Sequence, residues 1–162
     1  MQRRSMWWIL LVCSILVFVA LSGCDGDDED EEECFLVTEF EPNDVFETPE
    51  AYVSQAQDLG EMLFGDCFVI TGSFATADDV SDGYGFLLLE EQTLAITLSH
   101  SQLNDFDVLI FDFNTGTLLA TCASGLEPEL CDVGPLIGSI DVVVVPAPSS
   151  GLGNYALDLV SF

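Results

Sequence analysis

The run Asp105-Phe106-Asp107-Val108-Leu109-Ile110-Phe111, the triplet Asn114-Thr115-Gly116 and the run Leu118-Leu119-Ala120-Thr121-Cys122-Ala123 read together as two β-strands joined by a tight turn. Val, Ile, Leu, Phe and Thr fit a pleated, half-buried surface, and Asn-x-Gly supplies the residues that tolerate the turn's backbone angles. Working outward, the same signature recurs at Cys67 to Phe74, Tyr84 to Leu89, Leu94 to Ser99, Ser139 to Val145 and Asn154 to Val160. Leu94-Ala95-Ile96-Thr97-Leu98 and Asp107-Val108-Leu109-Ile110-Phe111 are almost wholly apolar, as central strands of a sandwich should be. Only Pro49 to Leu59 reads as helix. Seven or so strands with short turns and no βαβ alternation predict an all-β fold, an antiparallel β-sandwich.

The start of the chain has a different character. Arg3-Arg4 precede a run from Met6 to Leu21 that is apolar but for Ser14 and leads into Leu21-Ser22-Gly23-Cys24. A charged beginning, an apolar middle and a small-residue cleavage site are the parts of an export signal. The run is shorter than the roughly 20 residues a membrane-spanning helix needs. This segment resembles a bacterial lipoprotein signal peptide with its lipobox. The resemblance implies removal of residues 1–23 and a mature chain that begins at Cys24, with a diacylglycerol on its sulfur and a further acyl chain such as palmitate on its amine. Several acyl chains on one residue give stable membrane anchoring where one would be marginal. Residues 24–33 then form the lipidated cysteine and a tether, Asp-Gly-Asp-Asp-Glu-Asp-Glu-Glu-Glu from Asp25 to Glu33. A like-charge block without apolar residues cannot pack and is expected to be disordered. Residues 34–162 are expected to form one domain.

Charge excludes several functions. The chain carries 29 acidic residues against 2 basic ones, and both basic residues lie in the signal segment. The mature chain thus has no Lys or Arg, repels phosphate backbones and anionic headgroups, and is expected to bind no nucleic acid. Repulsion among so many carboxylates also favours an association with divalent cations. Six cysteines sort by position: Cys13 leaves with the signal and Cys24 takes lipid, so Cys34, Cys67, Cys122 and Cys131 remain. An even number in an exported chain predicts two disulfides. Of the three possible connectivities, the nearness of Cys122 to Cys131 favours Cys122–Cys131, with Cys34–Cys67 as the second bridge. A zinc site is disfavoured, since no Cys-x-x-Cys spacing occurs and the sole histidine, His100, is far from any pair.

Three ordered segments and a closing strand carry a second resemblance. They are Glu39-Phe40-Glu41-Pro42-Asn43-Asp44; then Gly72-Ser73-Phe74 with Asp79, Asp82, Tyr84 and Phe86; then Asn104 to Asp112 with Gly116 and Leu118-Leu119-Ala120. The closing strand is Gly153-Asn154-Tyr155-Ala156-Leu157-Asp158-Leu159. From about Glu39 to Phe162 the chain resembles the bacterial pre-peptidase C-terminal domain, a family that includes the collagen-binding domains of clostridial collagenases. It departs from the family pattern at Gly83 and at Gly138-Ser139-Ile140, where an aromatic is usual. The resemblance implies a jelly-roll-like sandwich. It also implies a calcium site, with Glu39, Glu41, Asn43 and Asp44 matching the family's acidic lead-in segment and Asp79 and Asp82 its aspartate pair. Calcium takes six to eight hard oxygen ligands, which such residues supply. Collagen binding is not carried over, because the aromatic surface that supports it has no match here.

His100 ends an apolar strand beside Ser99 and Ser101, but no nucleophile elbow accompanies it, so it is not read as catalytic. Together these features describe a non-enzymatic module, lipid-anchored in the bacterial cell envelope, at the inner or outer membrane, with a calcium cofactor. Its role is adhesion, binding or structural presentation, with an envelope protein, a protease or a polysaccharide as partner. The alternatives are an accessory or inhibitory partner of a separately encoded protease, or a small carboxylate-based hydrolase.

Overall fold

The computed structural model describes residues 34–43, 46–48, 51–52, 55–101, 103–148 and 150–162. The signal segment, Cys24, the tether and Asp44 lie outside these residues. Ten strands run in chain order: β1 Phe35–Thr38, β2 Phe46–Thr48, β3 Ala51–Tyr52, β4 Gln57–Glu61, β5 Cys67–Phe74, β6 Asp82–His100, β7 Phe106–Asp112, β8 Thr117–Cys122, β9 Glu129–Pro146 and β10 Gly153–Ser161. Among the described residues there is no helix, and so none long and apolar enough to cross a membrane.

The sandwich is one open sheet folded over itself. Seven strands follow the order β1-β5-β10-β6-β9-β7-β8, and β4 pairs with β6 off this path. The fold-over lies in the two longest strands, whose mutual register shifts between Leu88 and Leu94. Before the bend, β6 pairs Asp82–Leu88 with Val144–Gly138 of β9; after it, Leu94–Leu98 pair with Val133–Glu129. The first layer therefore holds β4, the first half of β6, the second half of β9, β7 and β8. The second layer holds β1, β5, β10, the second half of β6 and the first half of β9. An irregularity of this kind bends a strand and re-aims its side chains, which here closes the core.

Alternation fills the space between the layers. Along β6, Tyr84, Phe86, Leu88, Leu94, Ile96 and Leu98 are buried, and in β10 Tyr155, Leu157 and Leu159 are buried. The rings of Phe74 and Phe106 meet across the layers at 5.0 Å, edge to face. Each such fully buried side chain stabilises by roughly 1.5–3 kcal/mol relative to an exposed one. The turn between β7 and β8 is the one expected: Gly116 takes φ 64°, and its N–H donates to the Asp112 carbonyl at 2.8 Å.

Three expectations are corrected. Among the described residues of 49–59 there is no helix; Ala51–Tyr52 and Gln57–Glu61 are strands. Strand β10 covers β6 only from Leu94 onward, so a helix here would leave the backbone edge at Tyr84–Leu87 open, and β4 pairs with it. The pairing is not antiparallel throughout, since β1–β5 and β4–β6 are parallel. The runs Tyr84–Leu89 and Leu94–Ser99 are one bent strand, because apolar alternation resumes in step after the exposed Leu89, Glu90 and Glu91.

Disulfides join Cys34 to Cys67 and Cys122 to Cys131, fastening β1 to β5 and β8 to β9. Sequence separations of 33 and 9 close loops of unequal length. Chain entropy then predicts losses of about 4 and about 2.5 kcal/mol on replacing each pair by alanine. Denaturant melts check the ranking; a larger loss for the Cys122–Cys131 pair would contradict it.

Candidate metal centre

The lead-in segment Glu39–Asn43 crosses from β1 in the second layer to the start of β6 in the first. It is tied down on both sides. Glu39 N–H donates to the Thr71 carbonyl at 3.0 Å, and Gly83 N–H donates to the Asn43 carbonyl at 3.0 Å. Gln57 of β4 accepts from Phe40 N–H at 2.9 Å and donates to the Thr38 carbonyl at 3.3 Å. These bonds bring carboxylates from distant positions together. One oxygen each of Glu39, Glu41 and Asp82 lie within 4.8 Å of one another and can hold a metal ion.

Asn43 is fully buried beside them. With its side-chain nitrogen 3.4 Å from Glu39 Oε1, its oxygen stands 2.9 Å from Glu41 Oε2 and 3.3 Å from Asp82 Oδ1. Oxygens set at such distances repel unless a cation lies between them. With the amide turned over, its nitrogen donates to both carboxylates instead. The group thus suits either state: carbonyl oxygen to an ion, or amide hydrogens to the carboxylates without one. Glu39 Oε2 also accepts the Ser73 N–H at 2.7 Å, which fixes that side chain against β5.

Asp82 is the innermost member, with no exposed surface. The Tyr155 hydroxyl donates to its Oδ2 at 2.7 Å, and the Tyr84 and Tyr155 hydroxyls lie 2.6 Å apart, so Tyr84 donates to Tyr155. Burial is the largest influence on Asp82 and, helped by the charges of Glu39 and Asp79, pushes its carboxyl up to about 9, while the Tyr155 hydrogen bond pulls the other way. Burial likewise raises both tyrosines far above their ordinary range. Asp79 stands outside the three converging carboxylates. Its Oδ2 accepts the Ala75 N–H at 3.2 Å and closes its own turn, and its charge is felt at Asp82. Tyr84 and Tyr155 were visible in the sequence as strand residues, but no local signal marked them as partners of an aspartate.

Among the described residues a second set, Asp105, Asp107 and Glu129, also converges. Glu129 there accepts from Ser124 N–H, Ser124 hydroxyl and Leu126 N–H, so it organises its own loop. His100 is nearly enclosed; its Nε2 lies 3.0 Å from a Glu127 carboxylate oxygen.

No family model matches this sequence, and no curated protein matches it significantly. Solved structures do. The pre-peptidase C-terminal domain of a Bacillus anthracis collagenase superposes with a TM-score of 0.51 at 14% identity, covering 66% of this chain and 96% of that domain. The chain shares that domain's fold. At this identity the likeness extends to the fold alone. Two weaker likenesses carry no further weight. One is a periplasmic inhibitor of g-type lysozyme from Aeromonas hydrophila, with TM-score 0.42, 11% identity, and coverage of 65% of this chain and 100% of that one. The other is a family 6 carbohydrate-binding module, with TM-score 0.34, 16% identity, and coverage of 56% and 79%.

Proposed function

We propose that this protein is a non-catalytic binding module of the bacterial cell envelope, anchored by lipid at Cys24 and held in its working shape by calcium. The observation that supports it best is the convergence of Glu39, Glu41 and Asp82 around the buried Asn43 amide. Four hard oxygen donors from two distant parts of a chain without Lys or Arg after residue 4 suit calcium, which would be their only strong counter-charge. Bound there by these four side chains, the ion would neutralise the cluster and lock the lead-in segment across the two layers.

Two further features fit. A pair of disulfides belongs to an oxidising, extracytoplasmic compartment. The enclosed His100, held by Glu127, is badly placed to serve as a base for a substrate. In this reading residues 1–23 are the signal, residues 24–33 the lipidated cysteine and tether, and residues 34–162 the module.

Anchoring has a direct test. Expressed in bacteria, the protein should partition into detergent and begin at Cys24. The Cys24→Ser protein should keep its first 23 residues and carry no acyl label. Normal processing of Cys24→Ser would show that the lipobox reading is wrong.

A further inference from the structure

The two ends of the sandwich differ in chemistry. Strands β1 and β5 run in parallel from one end, which the Cys34–Cys67 bridge marks. The close of β10 lies at the same end, since Val160 pairs with Cys67. The β6–β9 corner lies there too, since Ser161 pairs with Leu94. The turn after β4 joins them: Met62 N–H donates to the Leu87 carbonyl at 3.1 Å, and Gly65 N–H donates to the Ser161 carbonyl at 3.1 Å. Phe35, Leu63, Phe64, Leu89, Ile137 and Phe162 all lie at this end, and each is more than half exposed. The opposite end holds the converging carboxylates, Glu39, Glu41 and Asp82 in one group and Asp105, Asp107 and Glu129 in the other. Leu103 and Leu126 are exposed there as well, but they flank the second acidic group.

We infer that the apolar end docks on a lipid bilayer with zwitterionic headgroups, its phenylalanine and leucine side chains entering the interface. The inference rests on the lipid anchor at Cys24 proposed above, and three observations carry it. First, the chain enters the sandwich at this end, at Cys34. Residues 24–33 reach at most about 35 Å when fully extended, so an acylated Cys24 keeps the apolar end, not the carboxylate end, next to the bilayer. Second, the exposed apolar side chains are grouped. Scattered ones need no explanation, whereas a contiguous set marks a protein or membrane contact. Here they stand on uneven ground: Leu63 and Phe64 on the turn after β4, Leu89 and Ile137 at the corner, Phe162 at the terminus. A fluid lipid surface moulds to such projections, where a protein partner would need a matching shape. Third, charge selects the lipid. No Lys or Arg follows residue 4, so attraction to anionic headgroups has no source. The exposed Glu90 and Glu91 beside Leu89 repel such headgroups, and a zwitterionic surface is the one that fits. Docked this way, both carboxylate groups lie at the far end, out of reach of the headgroups.

The test uses the full-length chain, expressed in bacteria and reconstituted into phosphatidylcholine vesicles. Trp7 and Trp8 are its only tryptophans. With Trp7→Phe and Trp8→Phe in place, Phe64→Trp puts a single fluorescent reporter at the apolar end, and Leu103→Trp puts one at the other end. Both positions are exposed, so neither change disturbs the core. In vesicles whose acyl chains carry bromine, the reporter at residue 64 should lose most of its emission and shift to the blue, and the reporter at residue 103 should do neither. Adding Leu63→Ser and Leu89→Ser should restore most of the emission at residue 64. High salt should leave the quenching unchanged, and anionic lipid should reduce it. No quenching at residue 64, or equal quenching at both positions, would overturn the inference. A blue shift at residue 64 that grows with protein concentration and is indifferent to bromine would overturn it in favour of contact with a second copy. Mass spectrometry of the same samples reads the anchor separately. An acylated Cys24 with an unquenched reporter keeps the anchor and overturns the docking; a quenched reporter on unacylated protein keeps the docking and overturns the anchor.

Discussion

In calcium at a hundredfold excess over its dissociation constant, the protein should gain about 2.7 kcal/mol of stability, the amount mass action gives for an ion that binds only the folded state. Sodium at equal ionic strength gives less, and magnesium substitutes poorly because it demands tighter octahedral geometry. Glu41→Gln, at an exposed position, removes most of the gain without disturbing the core. Asp82→Asn has two effects of opposite sign. It abolishes the calcium response, and it raises stability in calcium-free buffer at neutral pH, because asparagine resembles the protonated carboxyl that burial favours. The pH dependence follows from the same shift. Unfolded, Asp82 ionises near 3.8; folded without an ion, it keeps its proton up to about 9. Between those values the folded state holds one more proton, so calcium-free stability falls as pH rises through this window, by at most about 1.4 kcal/mol per pH unit from this group. Glu39, Glu41 and Asp79 face Asp82 with like charge, and Tyr84 and Tyr155 stay neutral over the whole range. Calcium binding at Asp82 would expel that proton, so its affinity should climb with pH over the same window. Thermal melts across pH, with and without calcium, read all of this. An undiminished calcium response in Asp82→Asn, or an equal loss when two tether acids are neutralised instead, would reduce the effect to screening.

The second large effect comes from one methyl group. Gly72 lies in β5 beneath the tyrosine pair. A Cβ there would overlap the Tyr155 hydroxyl and its ring carbon and come within 2.9 Å of the Tyr84 hydroxyl. Both tyrosines are buried, so neither can swing into solvent. Gly72→Ala should therefore cost about 3 kcal/mol, the upper end for overpacking a well-filled core. It should also weaken the calcium response, because moving Tyr155 removes the donor that holds Asp82. Tyr155→Phe alone loses that hydrogen bond, at about 1–3 kcal/mol for a buried polar group left unpaired. In the double variant the clashing oxygen is gone, so the two losses should add to less than their sum. Urea titrations of the four proteins complete the cycle. Additive losses, or a Gly72→Ala protein as stable as the parent, would show that the tyrosines yield at little cost.

Much of the fold was written in local pattern. The apolar and β-branched residues of Tyr84–Leu89 and Leu94–Ser99 predicted strands, and Asn114-Thr115-Gly116 predicted the turn that Gly116 makes. The register shift near Gln92 was invisible, since Glu90-Glu91-Gln92-Thr93 reads as a connection between two strands rather than a corner within one. For the site, residue identity was legible and arrangement was not. Glu39, Glu41, Asn43 and Asp82 were singled out, but Asp79 turns to its own loop and Asp44 lies outside the described residues.

By itself, the sequence determined that the chain is built of strands, that no Lys or Arg follows residue 4 to balance its acids, and that four cysteines follow residue 33. Each of these depends on composition or on a period of two residues, which a short window contains. Only the tertiary structure decided that the sheet folds at the β6–β9 corner, that Tyr155 donates to an aspartate 73 residues away, and that Gly72 lies against the paired tyrosine hydroxyls. Such contacts come from strands made neighbours by the folded sheet, and a separation of that length leaves no period for a local reading to find.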